Sequence, residues 1–148
     1  MHIEITNLTD APCDEKRIVS LADFALTQLG IHPDSELSIS LVGEDEMSAL
    51  HMQWMDEPGP TDVLSFPMDE MKPDSAHLGP GMLGDIVLCP NVAAQQAERA
   101  GHSAQDELEL LTMHGVLHLL GFDHREREEE AVMFGLQDRH LSEWRARS

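Results

Sequence analysis

One helix-length segment of this sequence must lie at the centre of the fold that the chain adopts. Ser103 and Asp106 have the spacing of a helix N-terminal capping motif, and the following residues are apolar on nearly every side as far as Leu120. A helix without a polar face has no side to turn toward water, which is typical of the middle of a domain. The sequence therefore predicts a central, buried helix against which the rest of the chain packs.

Polar side chains interrupt this helix at its C-terminal end, in the stretch HGVLHLLGFDH. His114 and His118 lie four residues apart, so a helix projects both imidazoles from one face with Cβ atoms roughly 5–6 Å apart. Gly121 lets the chain leave the helix in a conformation that other residues resist, and the next turn can bring His124 toward the same point. The spacing predicts one metal ion held by three histidines, with a fourth position open to water as in catalytic zinc sites.

Packing explains a single histidine in an apolar helix better than it explains three at this spacing, since buried histidines are usually hydrogen-bonded core residues. The pattern also matches the metzincin protease motif HExxHxxGxxH at every histidine and at the glycine. Gly115, however, occupies the position of the glutamate that serves those proteases as general base. This difference argues against a metzincin-like metalloprotease. The other histidines show no comparable arrangement.

Composition limits the class of protein further. The chain of 148 residues is long enough for one domain, residues 1–148, with a single apolar core. Nine Lys and Arg against 28 Asp and Glu give a formal net charge of −19, which provides no electrostatic footprint for nucleic acid. No apolar run approaches the roughly 20 residues of a membrane helix, and no export signal is recognisable. Together with two cysteines that lack metal or redox spacing, these features predict a cytoplasmic protein without membrane contact.

Hydrophobic periodicity outlines the remaining elements. Strands are predicted at residues 2–7, 36–43, 61–67 and 83–89. Besides the central helix, helical segments are predicted from Asp14 to Gly30, around Met47–Trp54, from a cap at Asn91 to Gly101, and in a final helix whose first turn carries the acidic residues of the run Glu126–Glu130. The order β-α-β-α-β-β-α-α-α predicts an α/β fold of the α+β type, in which about five helices pack on a small mixed sheet.

The histidine segment resembles a motif of a known family. HGVLHLLGFDH, residues 114–124, is similar to the HGxLHLxGxDH pattern of the YbeY family of metal-dependent endoribonucleases, which mature ribosomal RNA. PTDVLSFP at 60–67 and LGDIVLC at 83–89 resemble the other landmarks of that family, and the similarity covers nearly the whole chain in motif order.

This resemblance implies a mixed four-stranded sheet and a zinc-like ion on His114, His118 and His124. It also implies cleavage of single-stranded RNA, notably near the 3′ end of small-subunit ribosomal RNA, with a role in ribosome quality control. Ribosomal proteins or a ribosome-assembly GTPase are the partners it suggests. In one position the chain departs from the family: Met55 stands where an arginine is often found, six residues before Thr61. Arg125, Lys72 or Arg99 is a candidate to replace that charge.

Acidic residues near the landmarks are candidates for further roles. Asp123 can hydrogen-bond water on the metal or simply form a turn, and Asp85 can hydrogen-bond a ligand histidine or make an ordinary structural pair. Thr61 and Asp62 are interpreted as turn or cap residues. The loop at 68–81 is predicted to wall the catalytic cleft.

The hypothesis that follows is metal-assisted phosphodiester hydrolysis, in which the ion acidifies its water and polarises a phosphoryl oxygen. His114 and Asp123 are the catalytic candidates, and Asp123, a second water or a histidine released from the metal can serve as general base. A non-catalytic ribosome assembly factor with a structural metal is the alternative from another class. The acidic charge favours it, because acidic surfaces suit basic ribosomal proteins better than RNA.

Overall fold

The computed structural model describes residues 1–147 of the chain. Its elements follow the predicted order, with one short 3₁₀ turn, Ala76–Leu78, before the last strand. The strands are β1 His2–Asn7, β2 Glu36–Leu41, β3 Val63–Pro67 and β4 Met82–Leu88. The helices are α1 Glu15–Gln28, α2 Glu44–Met55, α3 Pro90–Ala100, α4 Ala104–Leu119 and α5 Arg127–Arg147. No helix in this part of the chain is long and apolar enough to cross a membrane.

The four strands form one mixed sheet in the order β1-β2-β4-β3, which confirms the predicted architecture. β1 pairs with β2 and β2 pairs with β4 in parallel, whereas β3 pairs with β4 antiparallel. Parallel neighbours need a crossover connection, and α1 supplies it between β1 and β2. The antiparallel edge strand β3 runs in the opposite direction to the others, so its first residues lie beside the last residues of β4.

Helix α4 lies against one face of the sheet and is buried along most of its length, as predicted. Its closest approach is at Gly115, where an added Cβ would lie only 3.0 Å from Cγ2 of Ile86 on β4. The carbonyl of Gly115 also accepts a hydrogen bond of 3.2 Å from the Ser65 hydroxyl on β3. Helix–sheet packing therefore favours a very small residue at this position, and a long side chain would have to displace Ile86 and the sheet.

Helix α2 covers part of the opposite face, where it buries a second, smaller apolar cluster. Met47 of α2 packs there with Leu64 of β3 and Val87 of β4. Alternation along β4 explains the two clusters, because Ile86 faces α4 while Asp85 and Val87 face the other side. The sheet is thus apolar on both faces near β3 and β4.

One helix start and one strand end differ from the prediction. α3 begins at Pro90 after an N-cap at Cys89, so the predicted cap at Asn91 is wrong. Proline suits the first helical position because its φ is already helical and it has no N–H to leave unpaired. β2 ends at Leu41, two residues before its predicted end at residue 43, and α2 then begins at Glu44. The predicted starts of α1 and α4 are confirmed by side-chain caps from Asp14 and Ser103.

Candidate metal centre

The last turns of α4 bring the three histidines together as the spacing predicts. His114 and His118 project from one face of the helix, with ring centroids 4.6 Å apart. Gly121 follows with φ of 92°, a left-handed conformation that turns the chain back toward the helix. The ring of His124 then lies 5.4 Å from that of His114 and 5.3 Å from that of His118. One nitrogen from each ring falls within 4.8 Å of the others, a group able to hold a metal ion.

The hydrogen bonds of His114 show which nitrogens face this point. Its Nδ1 donates to the side-chain oxygen of Gln137 at 2.9 Å, in the tautomer that leaves a lone pair on Nε2. That Nε2 lies 3.1 Å from Nε2 of His118. Two nitrogens at this distance repel unless a proton or a cation lies between them. The donor set is thus three imidazoles that converge on one point, which fits a transition-metal ion.

Burial keeps the imidazoles of His114 and His118 neutral. Desolvation lowers the pKa of His114, and a hydrogen bond to Gln137 opposes it only in part. Desolvation, reinforced by the neighbouring His114 and His124, lowers the pKa of His118 to about 4. A metal ion binds only the unprotonated form of histidine. Both side chains are therefore ready to bind a cation at neutral pH without first losing a proton.

A cavity of about 500 Å³ opens over the three histidines. Its other walls come from the end of α2, the start of β3 and α5. The lining residues besides the histidines are Met55, Thr61, Asp62, Val63, Leu64, Ser65 and Phe134. No Lys or Arg lines this cavity within residues 1–147, so none of Arg125, Lys72 and Arg99 takes the place of the family's arginine there.

Asp123 lies next to the third histidine in a local turn. Its Oδ1 accepts the His124 backbone N–H at 2.8 Å, and its Oδ2 pairs with Arg125 at 3.0 Å. The backbone hydrogen bond is the main cause that lowers the pKa of the Asp123 carboxyl, and Arg125 adds to it. Asp123 lines a neighbouring cavity rather than the one over the histidines. Its catalytic role stays a prediction.

Thr61 and Asp62 form a turn, as interpreted from sequence, but they also lie inside the site. Oδ1 of Asp62 accepts the Val63 backbone N–H at 2.8 Å and the Thr61 hydroxyl at 3.2 Å. Among the described residues that line the histidine cavity, Asp62 has the one carboxylate. The sequence interpretation therefore recognised its local hydrogen bonds and missed its position.

Neither Asp85 nor the loop at 68–81 lies at the histidine cavity. Asp85 lies on the sheet face opposite α4, where it lines cavities beside β1 and α2, so of its two candidate roles the hydrogen bond to a ligand histidine is excluded. The loop at 68–81 does not wall the cleft either. β3 starts beside the histidines and runs away from them, so the loop after Pro67 begins at the far end of the strand. The loop instead packs on the end of α1, where Asp74 N–H donates to the Leu29 carbonyl at 2.8 Å.

Helix α5 contributes two residues that the sequence interpretation did not single out. Gln137 bonds His114, as described above, and Phe134 stacks on His114 and His124 with centroid distances of 6.0 and 5.8 Å. The sequence signal that could have identified Gln137 was its polar side chain on the face of the final helix that packs against the core. That face contains Met133, Gln137, His140, Leu141 and Trp144.

Known proteins match this chain over nearly its whole length. The family described as Endoribonuclease YbeY matches residues 4–145. Proteins of that name from Acidothermus cellulolyticus and Thermobifida fusca are 57% and 55% identical to this chain, over 99% and 98% of its length and 93% and 95% of theirs. The solution structure of TM1509 from Thermotoga maritima superposes with a TM-score of 0.62 at 28% identity, and covers 98% of this chain and 93% of that one.

An α+β fold with a three-histidine group at the end of its central helix, in a chain so similar to named endoribonucleases, defines a hydrolase of the nuclease class. The chain belongs to the endoribonuclease YbeY family. The resemblance drawn from the motifs is thereby confirmed.

Proposed function

We propose that this endoribonuclease depends on one Zn²⁺ ion per chain, cleaves single-stranded RNA, and processes ribosomal RNA at the 3′ end of the small-subunit species, with a role in ribosome quality control. The observation that carries the proposal is the convergence of three imidazoles at the floor of a cavity in a member of an endoribonuclease family. Zinc would suit the donor set, since all three groups are imidazoles and the cavity above them has room for a water molecule.

Three residues would hold the ion: His114, His118 and His124. A zinc ion in such a site acts as a Lewis acid on a phosphoryl oxygen and lowers the pKa of its water. Phe134 stacks against the His114 and His124 rings and would help to hold them in place. The reaction also needs a proton acceptor, and the carboxylate of Asp62 supplies one within the cavity wall.

Asp123 remains the second catalytic candidate. Its lowered pKa keeps the carboxylate ionised, so it can accept a hydrogen bond from water but is a weak base. Its bonds to His124 N–H and Arg125 also fix the turn that presents the third histidine. We therefore propose that Asp123 orients the site, while Asp62 is better placed to take the proton.

We further propose that the protein acts in the cytoplasm and binds a ribosomal protein or a ribosome-assembly GTPase. Its charge of −19 favours a basic protein partner over extended contact with bare RNA. A cavity of about 420 Å³ on the sheet face away from the histidines includes Glu4, Glu36 and Asp85 in its lining. Both cysteines are free thiols, as expected in a reducing compartment.

The test is cleavage of a labelled single-stranded RNA and of its duplex by the purified protein, with and without a chelator. The proposal expects cleavage of the single strand only, loss of cleavage with chelator, and recovery when zinc is returned. Intact RNA with bound zinc would favour the assembly factor with a structural metal. Cleavage of casein would favour a metalloprotease, against which the close contact between Gly115 and Ile86 already argues.

A further inference from the structure

A buried amide reaches the metal centre from the last helix. Gln137 is only 8% exposed and lies on the face of α5 that packs against the core. A buried amide needs hydrogen-bond partners, and the partner of Gln137 is the imidazole of His114 at 2.9 Å. No local rule places it there, because the two residues are 23 positions apart in the chain.

We propose that Gln137 is a positioning residue that holds His114 in the tautomer required for metal binding. A neutral imidazole has one N–H, carried on either Nδ1 or Nε2. When Oε1 of Gln137 accepts from Nδ1, the proton stays on Nδ1 and the Nε2 lone pair remains free. That Nε2 is the atom 3.1 Å from Nε2 of His118, inside the group able to hold an ion. This inference rests on the metal centre proposed above.

The opposite tautomer is penalised by the same contact. With the proton on Nε2, Nδ1 would present a lone pair to the Gln137 oxygen, and the two acceptors would repel at 2.9 Å. The amide could avoid this by turning its NH₂ group toward Nδ1, which would then accept that N–H and leave the ring proton on Nε2, the nitrogen that faces the metal centre. The orientation of one amide therefore decides whether His114 can act as a ligand.

The hydrogen bond also makes the metal centre depend on the packing of α5. Met133 and Leu141, one turn on each side of Gln137, are buried in the main core and fix the position of the helix. Phe134 lies on the same helix and stacks on His114 and His124. Gln137 and Phe134 therefore restrain His114 together. Gln137 holds the ring proton on Nδ1, and Phe134 holds the plane of the ring.

Three substitutions separate this role from simple packing. Gln137→Glu keeps an oxygen acceptor and removes the NH₂ group, while Gln137→Leu and Gln137→Met keep the volume and remove the acceptor. A positioning role predicts zinc affinity in the order Glu at least equal to Gln, with both apolar variants weaker by about 10-fold or more. A packing role predicts equal zinc affinity in the wild type and the apolar variants, because Leu and Met fill the space of the Gln137 side chain; the melting curve shows separately what a buried carboxylate in Gln137→Glu costs in stability.

The experiment is titration of each metal-free protein with Zn²⁺, together with ¹⁵N NMR of the His114 ring and a melting curve. We expect the wild type and Gln137→Glu to carry the proton on Nδ1, and the apolar variants to populate both tautomers. Equal zinc affinity in wild type and the apolar variants, or an Nε2 proton in the wild type, would overturn the inference. Failure of the wild type to bind zinc would overturn the metal proposal instead, and the NMR result would still decide the role of Gln137.

Discussion

The two ends of α4 hold buried polar groups in opposite ways. Near the first end, the fully buried side chain of Glu109 is enclosed by partners from three directions. Arg17 donates to it at 2.8 Å, Gln105 at 3.1 Å and Arg145 at 3.4 Å. At the other end, His114 and His118 face each other at 3.1 Å, with one further hydrogen bond from His114 to Gln137. One set is complete within the protein, and the other leaves its nitrogens pointing at a shared space.

The buried groups at the two ends of α4 also differ in charge. Burial raises the pKa of Glu109, but hydrogen bonds from Arg17 and Gln105 more than offset it, so the carboxylate stays ionised in a closed ion pair. Burial lowers the pKa of His118 to about 4, and the surrounding histidines add to the effect. A buried charge with its own counter-ion is a structural feature, whereas a cluster of neutral donors without one is suited to an ion from solution. The contrast separates the binding end of the helix from the anchoring end.

The largest expected effect is at the histidine end. His118→Ala removes one of three ligands, and we expect bound zinc to fall from about one ion per chain to near zero. RNA cleavage should fall by more than about 100-fold, beyond the usual effect of residues that only support a ligand. Elemental analysis and a single-strand cleavage assay measure the two quantities.

Glu109→Gln is the matched control, because it changes a buried polar residue of the same helix at the other end. It should keep the full metal content and the cleavage rate of the folded protein. Full metal content in His118→Ala, or metal loss in Glu109→Gln, would contradict the division between the two ends.

The next effect concerns the point where α4 meets the sheet. Gly115→Glu restores the protease-like motif but drives a charged side chain against Ile86, which is fully buried. We expect the free energy of unfolding to fall by at least about 3 kcal/mol, from overpacking and burial of a charge. Urea denaturation measures this loss, and no cleavage of casein should appear.

Gly115→Ala is the control for that substitution. Its single methyl group needs Ile86 to move by only a few tenths of an ångström, and alanine favours the helix by about 1 kcal/mol. The alanine variant should therefore remain close to wild type. A stable Gly115→Glu protein with peptidase activity would show that the helix can rotate away from β4.

A smaller loss of stability is expected at the anchoring end. Arg17→Met removes the shortest hydrogen bond to Glu109 and leaves Gln105 and Arg145 in place. We expect a decrease of roughly 1.5–3 kcal/mol in the free energy of unfolding, the usual range for a hydrogen bond to a charged group. Zinc content should not change, which distinguishes this end from the histidine end.

The loss of stability in acid should also depend on the ion pair between Arg17 and Glu109. The pKa of Glu109 lies below its ordinary value of 4.5, so the folded state binds fewer protons than the unfolded state just below that pH. The stabilisation is complete at neutral pH and is lost as the pH falls through 4.5 toward the folded pKa. Arg17→Met brings the two pKa values closer, so its stability should fall less between neutral pH and about pH 4. An equal acid dependence in both proteins would show that Arg17 does not hold the Glu109 charge.

The sequence predicted the parts of this molecule that depend on local geometry. His114, His118 and His124 were identified because helical spacing and one glycine determine where their side chains point. Gln137 was not, because its contact with His114 exists only after α5 docks on α4. Asp85 was misplaced for a related reason. Both faces of β4 are covered, so the apolar run around Asp85 did not show which face points to the histidines.

The smallest expected effect tests the lack of a cationic side chain at the histidine end of α4. Glu109 is held by two arginines, but no arginine or lysine among the described residues lines the histidine cavity. Met55, the last residue of α2, lines that cavity and is 47% exposed, so a longer charged side chain can be accommodated without opening the core. Met55→Arg places a cation where the family often has one. A charge-assisted contact to phosphate should raise RNA cleavage roughly tenfold, equivalent to about 1.4 kcal/mol.

Met52→Arg is the matched control for this gain of function. Met52 lies on the same helix and is also 47% exposed, but it is not among the residues that line the histidine cavity. Both variants change the net charge of −19 by one unit, so a general electrostatic effect would raise cleavage equally in the two. A local contact should raise it only in Met55→Arg, and the gain should shrink as salt is added because the site is open to solvent. Unchanged cleavage in a Met55→Arg protein with an unaltered melting temperature would mean that position 55 does not reach the substrate in this chain.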